Sequence, residues 1–598
     1  MAAGSVIVTD GNERSALAVT RSLGRRGLSV YVGAETPTSL AGASRYCAQS
    51  FIYPSPWRHP EEYMSCLVDA VRRWKVDVIV PLTDVAVELI GEQRKRLGEE
   101  VAIAMPSLAQ YQQLSDKYAL TAWAVNEGLP VPNTIFVPNG IVTDAIDQIS
   151  AWPVVVKPGR SLIKVDGLWR KTGVLYARNS SELRRWYHEA WYLAWPSMIQ
   201  ERVVGDGQGV FGLFDHGKPL ALFAHRRLRE RPPSGGVSVL RESIPLPQPM
   251  TDYAMRVAQS ADWDGIAMVE FKIDRGSQIP YLIEVNGRFW GSLQLAIDAG
   301  IDFPWLLYQF LTTGAIGDDR QPYRAGVRSR WWLGDLDHLL LRFRKTESEL
   351  ALPPGSPSRW ATLFSFLSVF EPNTRTEIFR PSDPKPGIHE LSDYGRDLIR
   401  AIGGAMRRRL RNLLERLTHA IWNTGLPVGV HRRALKSRFP RQVRRVLVLC
   451  KGNICRSPFA SSWLRARASD RNVSLEIFSA GLDTLAGREA YPMATIVSLD
   501  FGVDLSLHRT AGVSEDMVEN ADVILVMELA HIRQLQLRFP AAVRKTFLLG
   551  HFAHERPVTD IKDPYGGTAE EFSQCYSYIS VACDGFLNYL KEQAQPRF

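Results

Sequence analysis

Cys450 and Arg456 stand with five residues between them in the run Val446-Leu447-Val448-Leu449-Cys450-Lys451-Gly452-Asn453-Ile454-Cys455-Arg456-Ser457-Pro458. A thiol is a nucleophile once it ionises, and a guanidinium is a planar fork matched to two oxygens of a phosphate. The four apolar residues before Cys450 predict a short buried strand, and Ser457-Pro458 predicts a helix start with Ser as N-cap and Pro as first helical residue. Backbone N–H groups of the loop between them, together with the helix N-terminus, form a cradle for an anion of phosphate size. Its positive field favours the thiolate of Cys450, placed where phosphorus would sit. A buried Cys at a strand end beside an incidental Arg is the plainer alternative. Gly452, Asn453, Ser457 and Pro458 at their offsets argue against it.

From about Arg445 to the C-terminus the chain resembles the low-molecular-weight protein tyrosine phosphatases. Besides the loop, the likeness rests on Ser479-Ala480-Gly481, on Gly502-Val503-Asp504-Leu505-Ser506-Leu507-His508, on Ala521-Asp522-Val523-Ile524-Leu525-Val526-Met527 and on Asp563-Pro564-Tyr565-Gly566. The resemblance implies in-line attack of Cys450 on phosphorus and a phosphocysteine. Asp563 then protonates the leaving phenolate and later helps activate water, and Arg456 holds the equatorial oxygens. Ser457 donates to the Cys450 thiolate. Asn453, Ser479 and His508 hold the loop, with Gly452 inside it, and Tyr565 forms an aromatic wall. Cys455 could form a reversible disulfide with Cys450. Ile454 replaces a Thr that marks relatives acting on phosphoarginine, so phosphotyrosine is the expected substrate. Lys451 favours an acidic peptide. The family's bacterial setting suggests an autophosphorylating tyrosine kinase, or an enzyme of surface-polysaccharide export, as the phosphoprotein partner.

The remaining chain has to be organised in its own right, because 598 residues exceed one hydrophobic core. Hydrophobic residues at 45% and charged ones at 23% are ordinary for a globular protein. Six scattered cysteines give neither a disulfide framework nor zinc-type pairs, and no leader or membrane-spanning run is read, so a cytoplasmic location is expected. Strands at Ser5–Asp10, Leu28–Val32 and Asp77–Pro81 alternate with helical periodicity over Ser15–Arg26, which argues for an open parallel sheet over residues 1–115. No glycine-rich dinucleotide fingerprint follows the first strand.

From Asp116 the pattern changes. Asp116-Lys117 precedes a helix ending at Gly128. Then Pro153–Pro158, Ile199–Gly205, Gly265–Phe271 and Tyr281–Arg288 each read as an apolar strand with a charge near its end. The set, over roughly residues 1–320, resembles the ATP-grasp superfamily. That resemblance implies Lys117 and Lys157 on ATP phosphates and backbone groups of Glu201 to Val204 at the adenine. It puts Asp206 or Gln208 at the ribose, Glu270, Glu284 and Asn286 on Mg²⁺, and Arg288 on the acyl-phosphate or the acceptor carboxylate. His225–Arg231 with Gly235-Gly236 reads as a basic mobile segment. The lid between Lys157 and Val174 lacks the family's dense glycine run. The substrates implied are a small carboxylate and an amine. The alternative is a nucleotide sensor or scaffold that does not turn over.

Expected architecture is therefore α/β throughout. An open-sheet pre-domain (1–115) leads into an ATP-grasp domain of two α+β subdomains (116–320). A linker (321–444) joins it to a phosphatase domain with a central parallel sheet flanked by helices (445–598). Most of the +9 net charge falls in that linker, on one face of an amphipathic helix from Leu398 to Ile421 and just after it. This uneven spread argues against nucleic acid. The helix reads as a solvated strut in preference to a membrane-surface anchor.

Overall fold

The computed structural model describes residues 4–400 and 439–594, apart from 142–145, 147, 148, 150, 318–321, 351, 353, 354, 369–372, 441, 472, 485 and 554–559. The chain divides into two compact units, Met1–Gly404 and Ala405–Phe598.

In the first unit, Ser5–Val8 is wholly buried and pairs in parallel with Ser29–Ala34 on one side and Val78–Val80 on the other. Gln49–Ile52 and Ala102–Ile103 complete a five-stranded sheet of order 3-2-1-4-5, the open parallel sheet expected. The first strand is thus where the order reverses, and the loop leaving its carboxyl end opens on a crevice. A four-stranded antiparallel sheet follows, in the order Leu175–Ala177, Val154–Pro158, Ser197–Glu201, Thr134–Val137. The helix Lys117–Asn126 that precedes it is capped by Asp116, whose carboxylate accepts from the N–H groups of Tyr118 and Ala119.

The third sheet has seven strands: Pro280–Asn286, Gly265–Asp274, Gly205–Asp215, Lys218–Arg231, Val237–Ser243, Arg328–Arg330 and Thr374–Thr376. Two expectations change here. His225–Arg231 is the second half of a fourteen-residue strand, paired with Val237–Ser243, and not a mobile segment. The stretch read as linker supplies the last two strands and the helix Trp332–Arg344, so the first unit continues to residue 400. Most of the basic amphipathic run, from residue 401 onward, lies outside the described residues.

The sparse-glycine lid is a hairpin, Leu162–Val165 with Leu168–Lys171, turned at Asp166 and Gly167, both at positive φ. Leu162 and Trp169 join the core that holds Tyr53 and Met64, and Lys164 Nζ lies 2.9 Å from both Glu92 oxygens. Apolar docking on the first sheet's domain holds this segment in place.

The second unit carries a four-stranded parallel sheet with Arg445–Cys450 between Glu476–Gly481 and Val523–Val526, and Thr546–Leu548 outside. The final helix, Ala569–Ala594, starts at the expected capping box of Thr568 and Glu571. It packs Tyr576 flat on Phe459, with ring centroids 3.9 Å apart. Cys583 is buried, as expected, and Cys575 is half-buried with its thiol 3.5 Å from the Lys562 carbonyl. No helix among the described residues is long and apolar enough to cross a membrane.

Residues after 374 are locked to the first sheet by buried charge. Arg21 donates to Asp383 at 2.8 Å and to the carbonyls of Ile378 and Asp383, and Asp383 also accepts from Ser44 and from the N–H of Arg45. Removing one partner of a buried pair strands the other charge, at a cost of about 3–5 kcal/mol. Asp383→Ala should therefore lower the unfolding free energy of the first unit by about that much, read from denaturant unfolding of the full chain. A change below about 1 kcal/mol, the worth of an exposed pair, would show that this segment is not integral.

Candidate active sites

The loop after Arg445–Cys450 is built around Asn453, which is fully buried with φ of 52°, a left-handed conformation that Asn tolerates better than most residues. Its side-chain amide satisfies three neighbours and its backbone carbonyl a fourth. Nδ2 donates to Ser457 Oγ at 3.0 Å and to Ser479 Oγ at 3.1 Å, Oδ1 accepts from Ala511 N, and its carbonyl lies 2.8 Å from His508 Nε2. Burial pushes the His508 imidazole below its ordinary value, which suits a neutral ring donating to that carbonyl. Asn453, Ser479 and His508, named together from the sequence, meet at this loop. Gly481, the end of the Ser-Ala-Gly motif, lies where a Cβ would come 3.1 Å from the Gly452 backbone and 2.6 Å from the Thr484 side chain.

Cys450 is buried, and its sulfur lies 3.0 Å from Ser457 Oγ and accepts from Asn453 N at 3.2 Å. Here a detail differs from expectation. The helix begins at Arg456 with Cys455 at the N-cap, so Ser457 sits inside the first turn, where its Oγ lies against the thiol and accepts from Asn453 Nδ2 instead of capping. Arg456 is 1% exposed. It donates to the Ile561 carbonyl at 2.7 Å, to Asp563 Oδ2 at 2.5 Å and to Glu528. Burial works against its charge, but Asp563, Cys450 and Glu528 outweigh that and raise its pKa. Glu528 was not read from the sequence as a site residue, although it follows the quoted run Ala521–Met527 directly.

Tyr565 stacks obliquely on Tyr491 at 4.9 Å, and Tyr491 N donates to the Ile454 carbonyl, so two aromatic rings stand beside the loop. Burial pushes the Cys455 thiol well above its ordinary range. All six cysteines are free thiols.

In the first unit a cavity of about 1020 Å³ opens between the three sheets. Glu270 and Glu284 face each other in register on neighbouring antiparallel strands, with Asn286 opposite Met268 two pairs along, on the same face. Two buried carboxylates at this spacing repel, and cations gather on them. Arg227 bonds Glu270 at 2.5 Å, Lys117 lies 3.3 Å from Glu284, and Asn286 Nδ2 donates to Glu284. Burial tends to raise the Glu284 pKa, yet Lys117, Asn286 and Lys157 bring it down to about 2. Glu270 is pushed up by burial and by Glu284, against the pull of Arg227. Oxygen donors from two carboxylates and one amide suit a hard ion such as Mg²⁺, and the amide oxygen of Asn286 remains on offer because its nitrogen faces Glu284.

Lys117, Lys157 and Glu201 line the cavity with the metal-type donors. Gln208 and Val204 fall elsewhere, and Arg288 is already paired. Gly207 lines it, so Gln208, one residue on in the strand, faces the other side. Val204 does not line it, and its carbonyl accepts from Arg275 N. Arg288 does line the cavity, but it spends Nε and Nη2 on Asp84, at 2.7 and 3.0 Å. Asp84 lies 204 positions away, a pairing no local pattern announces.

A strand, an anion loop with its thiol and arginine, and an acid on an opposing loop define a cysteine-dependent phosphatase. Facing carboxylates and lysines between two antiparallel sheets define a nucleotide-type cleft. Residues 445–596 match the family described as low molecular weight phosphotyrosine protein phosphatase, and residues 213–333 match ATP-grasp in the biosynthetic pathway with Ter operon. The probable low molecular weight protein-tyrosine-phosphatase AmsI of Erwinia amylovora is 36% identical over 149 residues, 25% of this chain and 98% of that one. Wzb of Escherichia coli is 36% identical over 134 residues, 22% of this chain and 86% of its own. Among solved structures, a biotin carboxylase–ATP analogue complex from Campylobacter jejuni aligns with 54% of this chain and 74% of its own, at 16% identity and a TM-score of 0.44. The chain belongs to the low molecular weight protein-tyrosine-phosphatase family through its second unit, and residues 213–333 of its first unit match the ATP-grasp model.

Burial and the neighbouring Lys117 hold Lys157 down at about 8, despite Glu284. Bound phosphates would favour the charged ammonium, so the complex should carry a proton that the free site sheds above that value. Mg·ATP affinity is therefore expected to fall as pH rises past about 8, by at most about tenfold per unit for a single proton. Calorimetry at pH 8.5 in buffers of different ionisation enthalpy should show proton uptake. No buffer dependence, or the same trend in Lys157→Met, would rule Lys157 out as its source.

Proposed function

We propose that this is a bifunctional enzyme, a phosphotyrosine-protein phosphatase joined to an ATP- and Mg²⁺-dependent ligase of carboxylate and amine. The observation that carries the phosphatase half is the Cys450 sulfur seated among Ser457 Oγ, the Asn453 N–H and the first turn of a helix, beside a buried Arg456. The thiolate attacks phosphorus, a sulfur–phosphorus bond forms, and the phosphorus–oxygen bond of the tyrosyl group breaks. Asp563 gives its proton to the departing phenolate oxygen. In the second step its carboxylate takes a proton from water, which attacks phosphorus and releases phosphate and the thiolate. Arg456 and the loop N–H groups stabilise the equatorial oxygens, where charge grows in the transition state.

In the first unit the reading rests on Glu270 and Glu284 in register, beside Lys117 and Lys157. Magnesium, when bound, would neutralise phosphate charge and align the terminal phosphate. Lys117 and Lys157 would bind the phosphate oxygens, while Glu201 and its neighbours meet the base. A carboxylate oxygen then attacks the terminal phosphorus and ADP leaves. The amine attacks the acyl carbon and phosphate leaves. The docked lid hairpin supports a cleft that can exclude water.

The named relatives of the second unit are tyrosine phosphatases, and this supports a phosphotyrosine protein as substrate. A kinase of surface-polysaccharide export is the partner we favour.

Asp563→Ala should lower kcat on the order of 10²–10⁴ for aryl phosphates with poor leaving groups, with a much smaller loss for activated ones. Equal losses across leaving groups would remove Asp563 from the acid role. Specificity has its own test. Ile454, with the Tyr491–Tyr565 pair, offers apolar and aromatic surface to a flat ring, and has no hydroxyl to place water at a guanidinium. In competition, phosphotyrosine peptide should be hydrolysed faster than phosphoarginine or phosphoserine peptides, and Ile454→Thr should shift the ratio toward phosphoarginine. Faster release from phosphoarginine by the natural chain would overturn the assignment.

A further inference from the structure

The cavity of the first unit is longer than a nucleotide site requires. At one end lie the lysines and facing glutamates, and at the other the loop from Asp10 to Arg14. That loop leaves the carboxyl end of Ser5–Val8, the strand at which the order of the parallel sheet reverses, which is where open sheets of this kind receive ligands. It runs into the helix Arg14–Arg25, whose N-cap residue Glu13 makes no side-chain cap. The first-turn N–H groups therefore face the crevice without that partner.

Four guanidiniums line this cavity: Arg202 lies over the Tyr176 ring at 5.6 Å, and two of the others are neutralised by carboxylates. Arg227 is held by Glu230 and Glu270, and Arg288 by Asp84. Arg14 differs. Its Nη1 bonds Glu377 at 2.7 Å, but the same Glu377 oxygen also takes Arg241 at 2.5 Å, so the half-buried Arg14 and the buried Arg241 share one carboxylate. The nearby Glu390 does not supply a full second charge, because burial pushes its carboxyl up to about 7. An excess of positive charge is left at Arg14. A largely buried charge of this kind calls for an anion beside it.

Two further observations place that anion in the cavity. Trp290, which lines it, is 2% exposed, and its indole Nε1 has no hydrogen-bond partner. Gly291 lies where a Cβ would come 2.9 Å from Arg14 Nη2, so the missing side chain leaves the guanidinium open on that flank. The same end also carries carboxylates, Asp10 behind and Glu13 and Glu35 at the rim. The ligand that matches a cationic pocket with an acidic rim carries both an anionic and a cationic group.

We infer that the crevice at Arg14 is the subsite for a free amino acid. Its carboxylate is held by Arg14 Nη2, the first turn of the helix and Trp290 Nε1, and its ammonium faces Asp10 and Glu35. This deepens the ligase reading and rests on it. It also moves the carboxylate-holding role from Arg288, which is committed to Asp84, to Arg14.

The test uses the full chain with Mg²⁺ and a non-hydrolysable ATP analogue, and follows tryptophan fluorescence and thermal stabilisation with each of the twenty proteinogenic amino acids. At least one should bind saturably, and both its α-amide and its N-acetyl form should bind at least about tenfold more weakly, the size expected for losing a charge-assisted contact. Arg14→Met should weaken that amino acid by a similar factor while leaving analogue affinity and aryl-phosphate hydrolysis unchanged. Because Arg14 also bonds Glu377, Gly291→Ala serves as a second variant, narrowing the pocket without removing a charge. The inference is overturned if the analogue binds and none of the twenty does, if the amide binds as well as the acid, or if both variants leave amino-acid binding intact. If the analogue itself fails to bind, the ligase reading fails. The same titration without nucleotide then decides the subsite alone.

Discussion

A charge that leaves water must meet an opposite charge, and both units are held in working shape by that constraint. Desolvating a carboxylate or a guanidinium costs several kcal/mol per ion after relaxation, so such groups appear here in pairs and chains. Asp84 and Arg288 tie the first sheet's domain to the seven-stranded sheet, with burial outweighed and Asp84 brought down to about 2. Arg21 and Asp383 fasten the segment after residue 374 to the first helix. Glu270 can face Glu284 only because Arg227, Lys117 and Lys157 stand around them. The nucleotide-type cleft is a place where this pairing gathers carboxylates and cations at one point. That is also what a metal and a polyphosphate need.

Each unit contains one parallel sheet, and each uses the same feature of it. In the order 3-2-1-4-5 of the first and 2-1-3-4 of the second, the first strand has its successors on opposite sides. Loops from its carboxyl end have no covering crossover above them, so they stay open to a ligand. Asp10 to Arg14 occupy that position in one unit and Lys451 to Cys455 in the other. The second loop is stiffened from within by Asn453, whose left-handed backbone and four hydrogen bonds leave it little freedom. The first is stiffened by Tyr53, whose hydroxyl accepts from Asp10 N at 2.7 Å.

What could be read from the sequence was local. The thiol loop, the helix that follows Asp116 and the strands of the first sheet depend on residues within about one turn or one strand of each other, and the structure has them where expected. Gln208 failed for a local reason as well. Asp206 and Gln208, the two residues offered at the ribose, are two apart and share one face of the strand, and its pairing with Ile273 and Phe271 turns that face away from the cavity that Gly207 lines. Arg288 and the supposed linker failed for non-local reasons. The partner of Arg288 is 204 residues away, and the strand Thr374–Thr376 joins a sheet begun at Gly205. A short polar stretch such as Thr-Arg-Thr has no periodicity to betray it. His225–Arg231 looked mobile because its charges crowd, yet those charges are the ones the sheet pairs, as Arg226 with Glu242 and Arg229 with Asp335 show.

The ion pair between Arg456 and Asp563 gives the proposed phosphatase reaction an order. A carboxylate that accepts from a guanidinium has no proton to give, whereas the first step needs Asp563 as an acid. The two roles are compatible if the phosphate dianion takes the other edge of the guanidinium, since two of its oxygens match Nε, which has no partner, and Nη2, which Asp563 now holds. Asp563 is then released toward the leaving oxygen, and it lies on the exposed side of the pair, while Arg456 is buried. Glu528, the nearer to burial of the two acids, can keep its hold and stop the arginine from following the phosphate outward. Substrate binding and arming of the acid thereby become one event, and the protein needs no separate device to keep Asp563 from acting on water in the wrong step.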